Sequence, residues 1–324
     1  MTEVTYREAI TMALSDEMEA DPDVFCLGED IGAAGGVFKT TEGLFARFGP
    51  ERVRDTPISE QAIVGAGLGA AVAGLRPVPE IMFADFGGVA FDQIANQVAK
   101  YRYMTGGQAK VPLTIRMASG AGVGFAAQHS QSTEHWFLNV PGLVLAVPGT
   151  PADAYGLLRS AIRSDDPVIV FEHKAQFGDR GEVERGRIVP LGTAEVARKG
   201  TDVTVVATQV MRTRSLEAAE RSAAEGISVE VIDPRTIAPL DTETIVGSIE
   251  RTSRLVCAQE APPAGSWGAT LIAHVAEHAL DALDAPPVLV AADATPVPYA
   301  SNLEDLWMPS TDRILRAIHG VVRQ

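Results

Sequence analysis

The chain begins with Thr5-x-x-Glu8, followed by apolar residues at Ile10, Ala13, Leu14 and Met18. A capping box ahead of an apolar stripe with a 3.6-residue period predicts an amphipathic helix that ends near Pro22. Apolar runs of strand length then appear at residues 24–27, 111–117, 143–147 and 168–171. Between them one helical pattern carries Ile94, Val98 and Tyr101, and Thr150-Pro151 supplies an N-cap and first helical residue for another. This β-α alternation predicts a mostly parallel sheet covered by helices on both faces. Residues 173–200 break the rhythm with charge and glycine and read as a linker region. The alternation restarts with "VTVVAT", "ISVEVID", "RLVCAQE" and "PVLVAA" as strands, and with helices over 214–225, over 241–251, from about Trp267 and from about Asp312. The predicted architecture is α/β throughout, two parallel-sheet three-layer domains over 1–185 and 201–324 joined by a linker over 186–200.

With 46% hydrophobic and 21% charged residues, the composition is that of an ordinary globular protein. Forty-two acidic against 27 basic residues give a formal charge of -15, whose field repels nucleic acid and anionic membrane surfaces, so neither is expected as a partner. Cys26 and Cys257 lie far apart without C-x-x-C spacing or a nearby histidine cluster, which argues against a disulfide framework or a zinc site. The N-terminus has no basic-then-apolar leader, and no apolar run reaches the ~18 residues of a membrane span. The expectation is a soluble protein of the reducing cytoplasm.

Candidate chemistry starts at "DTPISEQAIVGAGLGAAVAG". Gly65-Ala-Gly67-Leu-Gly69-Ala70 satisfies a dinucleotide-binding G-x-G-x-x-A pattern, which would make the chain an NAD-dependent Rossmann dehydrogenase. Such a loop needs a strand directly before its first glycine. Here extended chain ends at Pro57, Ser59 is a good N-cap, and a helix already runs from Glu60 when Gly65 arrives. Glycine costs roughly 0.5–1 kcal/mol relative to alanine inside a helix, so close packing is the better account of these glycines. Glu60 is then a first-turn carboxylate, either simply favoured by the helix dipole or part of a site. A second glycine-rich run, "SGAGVGFAAQHSQ", ends in Gln128-His129-Ser130-Gln131, a polar cluster on flexible backbone where a histidine is either structural or functional.

"GEDIG", "DTPISE", "GLRPVPEIMFADF", "FDQIANQVAKYRYMTGG", "AAQHSQS", "AIRSDDPVIVFEHK" and "VIDPRTIAPLD" together resemble the β subunit of the E1 component of 2-oxo acid dehydrogenase complexes, in order from about residue 3 to the C-terminus. The pyruvate, acetoin and branched-chain 2-oxo acid enzymes belong to that family. The resemblance implies a thiamine diphosphate enzyme with a pyrimidine-binding domain followed by a transketolase C-terminal-like domain. Glu60 matches the glutamate that bonds the pyrimidine N1′ and shares a proton with it, in a setting that Ile58, Ile63 and Val64 are expected to desolvate. Phe86 matches the aromatic residue packed on the pyrimidine ring, although periodicity alone makes it equally a core phenylalanine. His129 matches the histidine that assists acyl transfer to a lipoyl disulfide. Glu29 matches a further site residue, or is a plain strand-end carboxylate, and Ile58 and Met82 match wall contacts. A monovalent cation, usually potassium, is implied at Leu113, Ala161, Ile162, Ser164 and Asp166, held mainly by backbone carbonyls.

The family's diphosphate and Mg²⁺ are held through a G-D-G followed by an asparagine, and this chain offers only Gly178-Asp-Arg-Gly181 in the linker region. The resemblance therefore implies half a cofactor site. An α subunit supplies the rest in an α2β2 heterotetramer, active only when assembled, which takes a small 2-oxo acid and acylates the lipoyl group of an E2 core. "EIMFADFGGVAFDQ" leans toward the pyruvate and acetoin branches, with the branched-chain enzyme as the alternative. His135 and the stretch 175–183 depart from the family pattern.

Overall fold

The computed structural model describes residues 1–323. In chain order the elements are β1 (Thr2–Thr5), α1 (Tyr6–Ala20), β2 (Val24–Gly28), α2 (Leu44–Phe48), β3 (Val53–Asp55), α3 (Glu60–Val72), β4 (Arg76–Ile81), α4 (Ala99–Met104), β5 (Thr114–Ser119), α5 (Glu134–Leu138), β6 (Val144–Ala146), α6 (Pro151–Arg163), β7 (Val168–His173) and β8 (Arg180–Val183). They continue with β9 (Glu195–Arg198), β10 (Val203–Ala207), α7 (Gln209–Ala223), β11 (Val229–Asp233), β12 (Thr236–Ala238), α8 (Thr242–Thr252), β13 (Leu255–Ala258), α9 (Trp267–His278), β14 (Val288–Val290), α10 (Ser301–Trp307) and α11 (Thr311–Val322). Contacts divide them into two compact units, Met1–Ser119 with Trp136–Leu191, and Gly120–His135 with Gly192–Gln324. The break after Leu191 falls inside the expected linker, and the glycine-rich segment 120–135 groups with the second unit. Among the described residues no helix is long and apolar enough to cross a membrane.

In the first unit, strands run parallel in the order β6-β7-β5-β4-β2-β3. The Thr5 capping box forms as expected, with the Thr5 N–H donating to Glu8 Oε2 at 2.7 Å and the Glu8 N–H to Thr5 Oγ1 at 3.3 Å. It starts α1, which buries Ile10, Ala13, Leu14 and Met18. Strand β4, "RPVPEI", contains two prolines and has no alternating pattern, yet lies in the sheet interior. Its ladder to β5 begins only at Glu80, beyond the last proline, because a proline offers that neighbour no N–H. The region expected as a linker holds two short strands. β8 pairs antiparallel with β1, and β9 forms the antiparallel edge of the second unit's sheet, whose order is β14-β13-β10-β11-β9. The core of that unit gathers Val203, Val205, Val231, Val256, Trp307 and Ile314.

Candidate functional site

In the first unit the chain goes from β2 to β3 on one side and then crosses to β4 on the other. A crevice outside the carboxyl ends of parallel strands, where the order reverses, is the usual ligand position in such sheets. Glu29 follows the last residue of β2, Glu60 opens the helix after β3, and Met82 and Phe86 follow β4. Four of the residues singled out from sequence thus lie on one edge of the sheet. Glu60 is only 7% exposed, and among the described residues no lysine, arginine or histidine pairs with it. Glu29 is half-buried. Burial raises its pKa above the usual carboxylate value, and the charges of Glu60, Asp30 and Glu80 push the same way. Phe86 is half-buried on a short 3-10 turn, edge-on to Phe83 with ring centroids 5.6 Å apart. Phe83 in turn meets Phe38 edge-on at 5.5 Å, which joins the turn to the loop after β2. That loop is held at its start by Asp55, whose Oδ1 accepts the Gly32 N–H at 2.7 Å.

A buried ionic cluster lies under this edge. The Arg116 guanidinium donates from Nη1 to Glu80 at 2.6 Å, and from Nε and Nη2 to the two oxygens of Glu172 at 2.7 and 2.8 Å. Three adjacent strands each contribute one member. The two carboxylates hold Arg116 firmly protonated against the opposing effect of its burial. For Glu172, burial raises the pKa while Arg116 lowers it, and burial prevails. The Glu80 carboxylate also reaches beyond the cluster, its charge adding to the upward shift at Glu29.

His129 belongs to the second unit, on the segment 120–135. The backbone there is left-handed at Gly120, Gly122, Gly124 and Ala126. His129 is half-buried, and its N–H donates to the Ala126 carbonyl at 3.5 Å. Two buried carboxylates hold the segment. Glu260 Oε1 accepts from the Ala121 N–H and the Ser132 hydroxyl, both at 2.7 Å, and Glu304 accepts from the Gly122 and Gly124 N–H groups at 2.8 and 3.0 Å. Glu134 is 6% exposed, and its pKa is raised to about 7 by burial, with the Glu260 charge adding. Burial lowers the pKa of His135. The sequence reading did not single out Arg116, Glu260 or Glu304. A lone carboxylate in "QEAP" or "NLEDLW" carries little signal, because its partners, backbone N–H groups and the Ser132 hydroxyl, lie more than a hundred residues away.

Of the remaining positions, Ile58, matched to a wall contact, is 82% exposed in this chain. Ser59 stands at the N-cap of α3, but its side chain makes no capping bond. Gly65, Gly67 and Gly69 lie inside α3, so the dinucleotide-loop reading fails, since no strand-to-helix turn presents N–H groups there. A Cβ on Gly67 would sit 3.0 Å from Leu113 and 3.4 Å from Pro79, so this glycine does allow close packing on the sheet. Gly69 meets nothing within 4 Å, so packing inside this chain does not explain it. Gly178-Asp-Arg-Gly181 leads into the β1–β8 ribbon, where the Asp179 carbonyl accepts the Tyr6 N–H at 2.8 Å, and has no metal-loop geometry. At the potassium positions, the Ile162 and Ser164 carbonyls each accept Arg76 Nη1 at 3.0 Å. The Leu113 carbonyl accepts the Val168 N–H at 3.0 Å and that of Ala161 the Ser164 N–H at 3.1 Å. A monovalent cation there would share two carbonyls with the Arg76 guanidinium.

The fold and its carboxylate-lined strand edge define a transketolase-type α/β protein. The family model for the transketolase pyrimidine binding domain matches residues 2–179, and that for the transketolase C-terminal domain matches 192–314. The chain is 47% identical to the acetoin:2,6-dichlorophenolindophenol oxidoreductase subunit beta of Cupriavidus necator, covering 97% of this chain and 96% of that one. It is 42% identical to the pyruvate dehydrogenase E1 component subunit beta of Rhizobium meliloti, covering 99% and 70%. With the 3-methyl-2-oxobutanoate dehydrogenase subunit beta of Mycobacterium tuberculosis it shares 44%, over 99% and 92%. Among solved structures, a split-gene transketolase described as an inactive beta4 tetramer superposes with a TM-score of 0.82 at 24% identity, over 99% of this chain and 98% of that one, a likeness of fold. The chain belongs to the transketolase-like family of 2-oxo acid dehydrogenase E1 β subunits.

Proposed function

We propose that this chain is the β half of a thiamine diphosphate-dependent E1 that decarboxylates a small 2-oxo acid and passes the acyl group to a lipoyl-bearing E2, with pyruvate or acetoin chemistry favoured. The observation that carries the reading is Glu60, a buried carboxyl without a cationic partner among the described residues, on the strand edge that also holds Glu29, Met82 and Phe86. That donor set fits the pyrimidine half of the cofactor, since a carboxyl can share a proton with a ring nitrogen and an aromatic face can support the ring. When bound, thiamine diphosphate supplies the electron sink for loss of CO₂. Glu60 holds the proton at N1′, Phe86 and Met82 limit the ring's orientation, and Glu29 keeps a second carboxyl near Glu60. His129 serves the acceptor side, where the acyl group leaves for lipoate.

The diphosphate and Mg²⁺ fall to an α subunit in an α2β2 assembly. Support comes from the exposed apolar residues of the first unit, Ile58 at 82%, Val89 at 59% and Met104 at 62%, which a partner surface has reason to cover. Potassium at Leu113, Ala161, Ile162, Ser164 and Asp166 belongs to the same reading. The test is co-expression with a candidate α chain, followed by turnover of a 2-oxo acid panel and acetoin with 2,6-dichlorophenolindophenol as acceptor. Thiamine diphosphate-dependent reduction of the dye with pyruvate or acetoin is expected. Preference for a branched 2-oxo acid would replace the favoured substrate, and absence of activity with every substrate in a correctly assembled tetramer would count against the reading.

A further inference from the structure

The glycine-rich segment that carries His129 is tied down by two carboxylates distant from it in sequence. Glu260, just beyond β13, takes one bond near each end of the segment, from the Ala121 N–H and from the Ser132 hydroxyl, both on the same oxygen at 2.7 Å. Glu304, in the middle of α10, spreads its two oxygens over the Gly122 and Gly124 N–H groups at 2.8 and 3.0 Å. The left-handed backbone at these glycines, φ 93° and 75°, turns both N–H groups toward one carboxylate, a conformation L side chains rarely adopt. Glu304 is 3% exposed, and among the described residues no lysine, arginine or histidine pairs with it. Burying an unpaired carboxylate is costly, and an apolar side chain would fill the same space more cheaply. Charge-assisted bonds to backbone N–H groups are short and directional, which suits a group that must fix a loop's conformation. Beside the anchors, Ala121 packs in the core of the second unit. Between them, residues 125–129 are half-buried or exposed, His129 among them, and Ser130 is buried.

We propose that Glu260 and Glu304 are positioning residues that set the conformation of the segment 120–132 and so aim the His129 imidazole for acyl transfer. The proposal rests on the reading of His129 given above. Neither carboxylate touches the reacting atoms. Their part is to keep the loop in one conformation so that little ordering remains to be done when the lipoyl group arrives.

The test uses the assembled α2β2 holoenzyme with Glu304→Gln, Glu260→Gln and His129→Ala. Glutamine keeps one acceptor oxygen and turns an amide N–H toward a backbone N–H, so it loosens the tether at nearly constant volume. Amide hydrogen exchange over peptides covering 120–132 should accelerate about tenfold in Glu304→Gln, with peptides from α11 unchanged. The ratio of lipoyl acylation to 2,6-dichlorophenolindophenol reduction should fall about tenfold in the same variant, the expected result of misaiming a transfer group while decarboxylation persists. Unchanged exchange in the segment, or exchange that rises equally throughout the second unit, would overturn the tether. If His129→Ala lowers the ratio and neither glutamine variant does, the positioning role is overturned while the reading of His129 stands. A normal ratio in His129→Ala would instead remove the reading of His129, and with it the aiming role, leaving exchange alone to judge the tether. Should Glu260→Gln fail to assemble, Glu304→Gln decides the matter by itself.

Discussion

Glu134 offers a test in which the structure sets both sign and size. Its pKa is raised from 4.5 to about 7 by burial, with Glu260 adding. A carboxyl that is harder to ionise folded than unfolded makes the folded state bind more protons, so its contribution to stability is intact below pH 4.5 and is lost as pH rises to about 7. At roughly 1.4 kcal/mol per pKa unit the whole loss is about 3 kcal/mol, of which about 2 kcal/mol falls between pH 5.5 and neutrality. Glu134→Gln has nearly the same shape and no charge at any pH. Thermal unfolding of wild type and variant should therefore coincide only at about pH 4, and the variant should melt about 4–8 °C higher at pH 8. Taking the difference between the two proteins cancels every other titrating group. A difference in melting temperature that stays constant between pH 5.5 and 8 would refute the reasoning.

Arg116→Met leaves Glu80 and Glu172 buried beside one another without their shared cation, so unfolding free energy measured in urea should drop by about 3–5 kcal/mol, far more than for an exposed arginine. Thr5→Ala removes one half of the capping box and should cost about 1 kcal/mol by the same assay. Potassium titrated against sodium at constant ionic strength should raise the melting temperature if a cation shares the Ile162 and Ser164 carbonyls with Arg76. An identical curve in both salts would indicate that the guanidinium alone satisfies them.

Elements with their own local signature were legible in the sequence. The Thr5 capping box, the Thr150-Pro151 helix start and the valine-rich strands of the second unit all stand in the structure because local preference and burial agree there. Strand β4 was hidden by Pro77 and Pro79, which forbid pairing on one side only over its first residues. The ribbon of β1 and β8 was hidden because its pairing joins residues far apart in sequence and its exposed positions have no apolar alternation. At the candidate site, Glu60 was visible as a carboxylate at the start of an apolar helix, and His129 as a polar interruption after glycines. The Arg116 cluster and the Glu260 and Glu304 tethers were not, because each depends on elements that only the folded sheet brings together.

Glu60→Gln in the reconstituted α2β2 enzyme bears most directly on the central claim. The amide keeps the volume of a side chain that is 7% exposed but cannot exchange a proton with a ring nitrogen. Turnover of the 2-oxo acid with the dye acceptor should fall by about 100-fold or more, as expected when a general acid–base group is lost. The melting temperature and the assembly state should stay close to those of the unaltered protein. A correctly assembled Glu60→Gln enzyme that turns over at a near-normal rate would contradict the account.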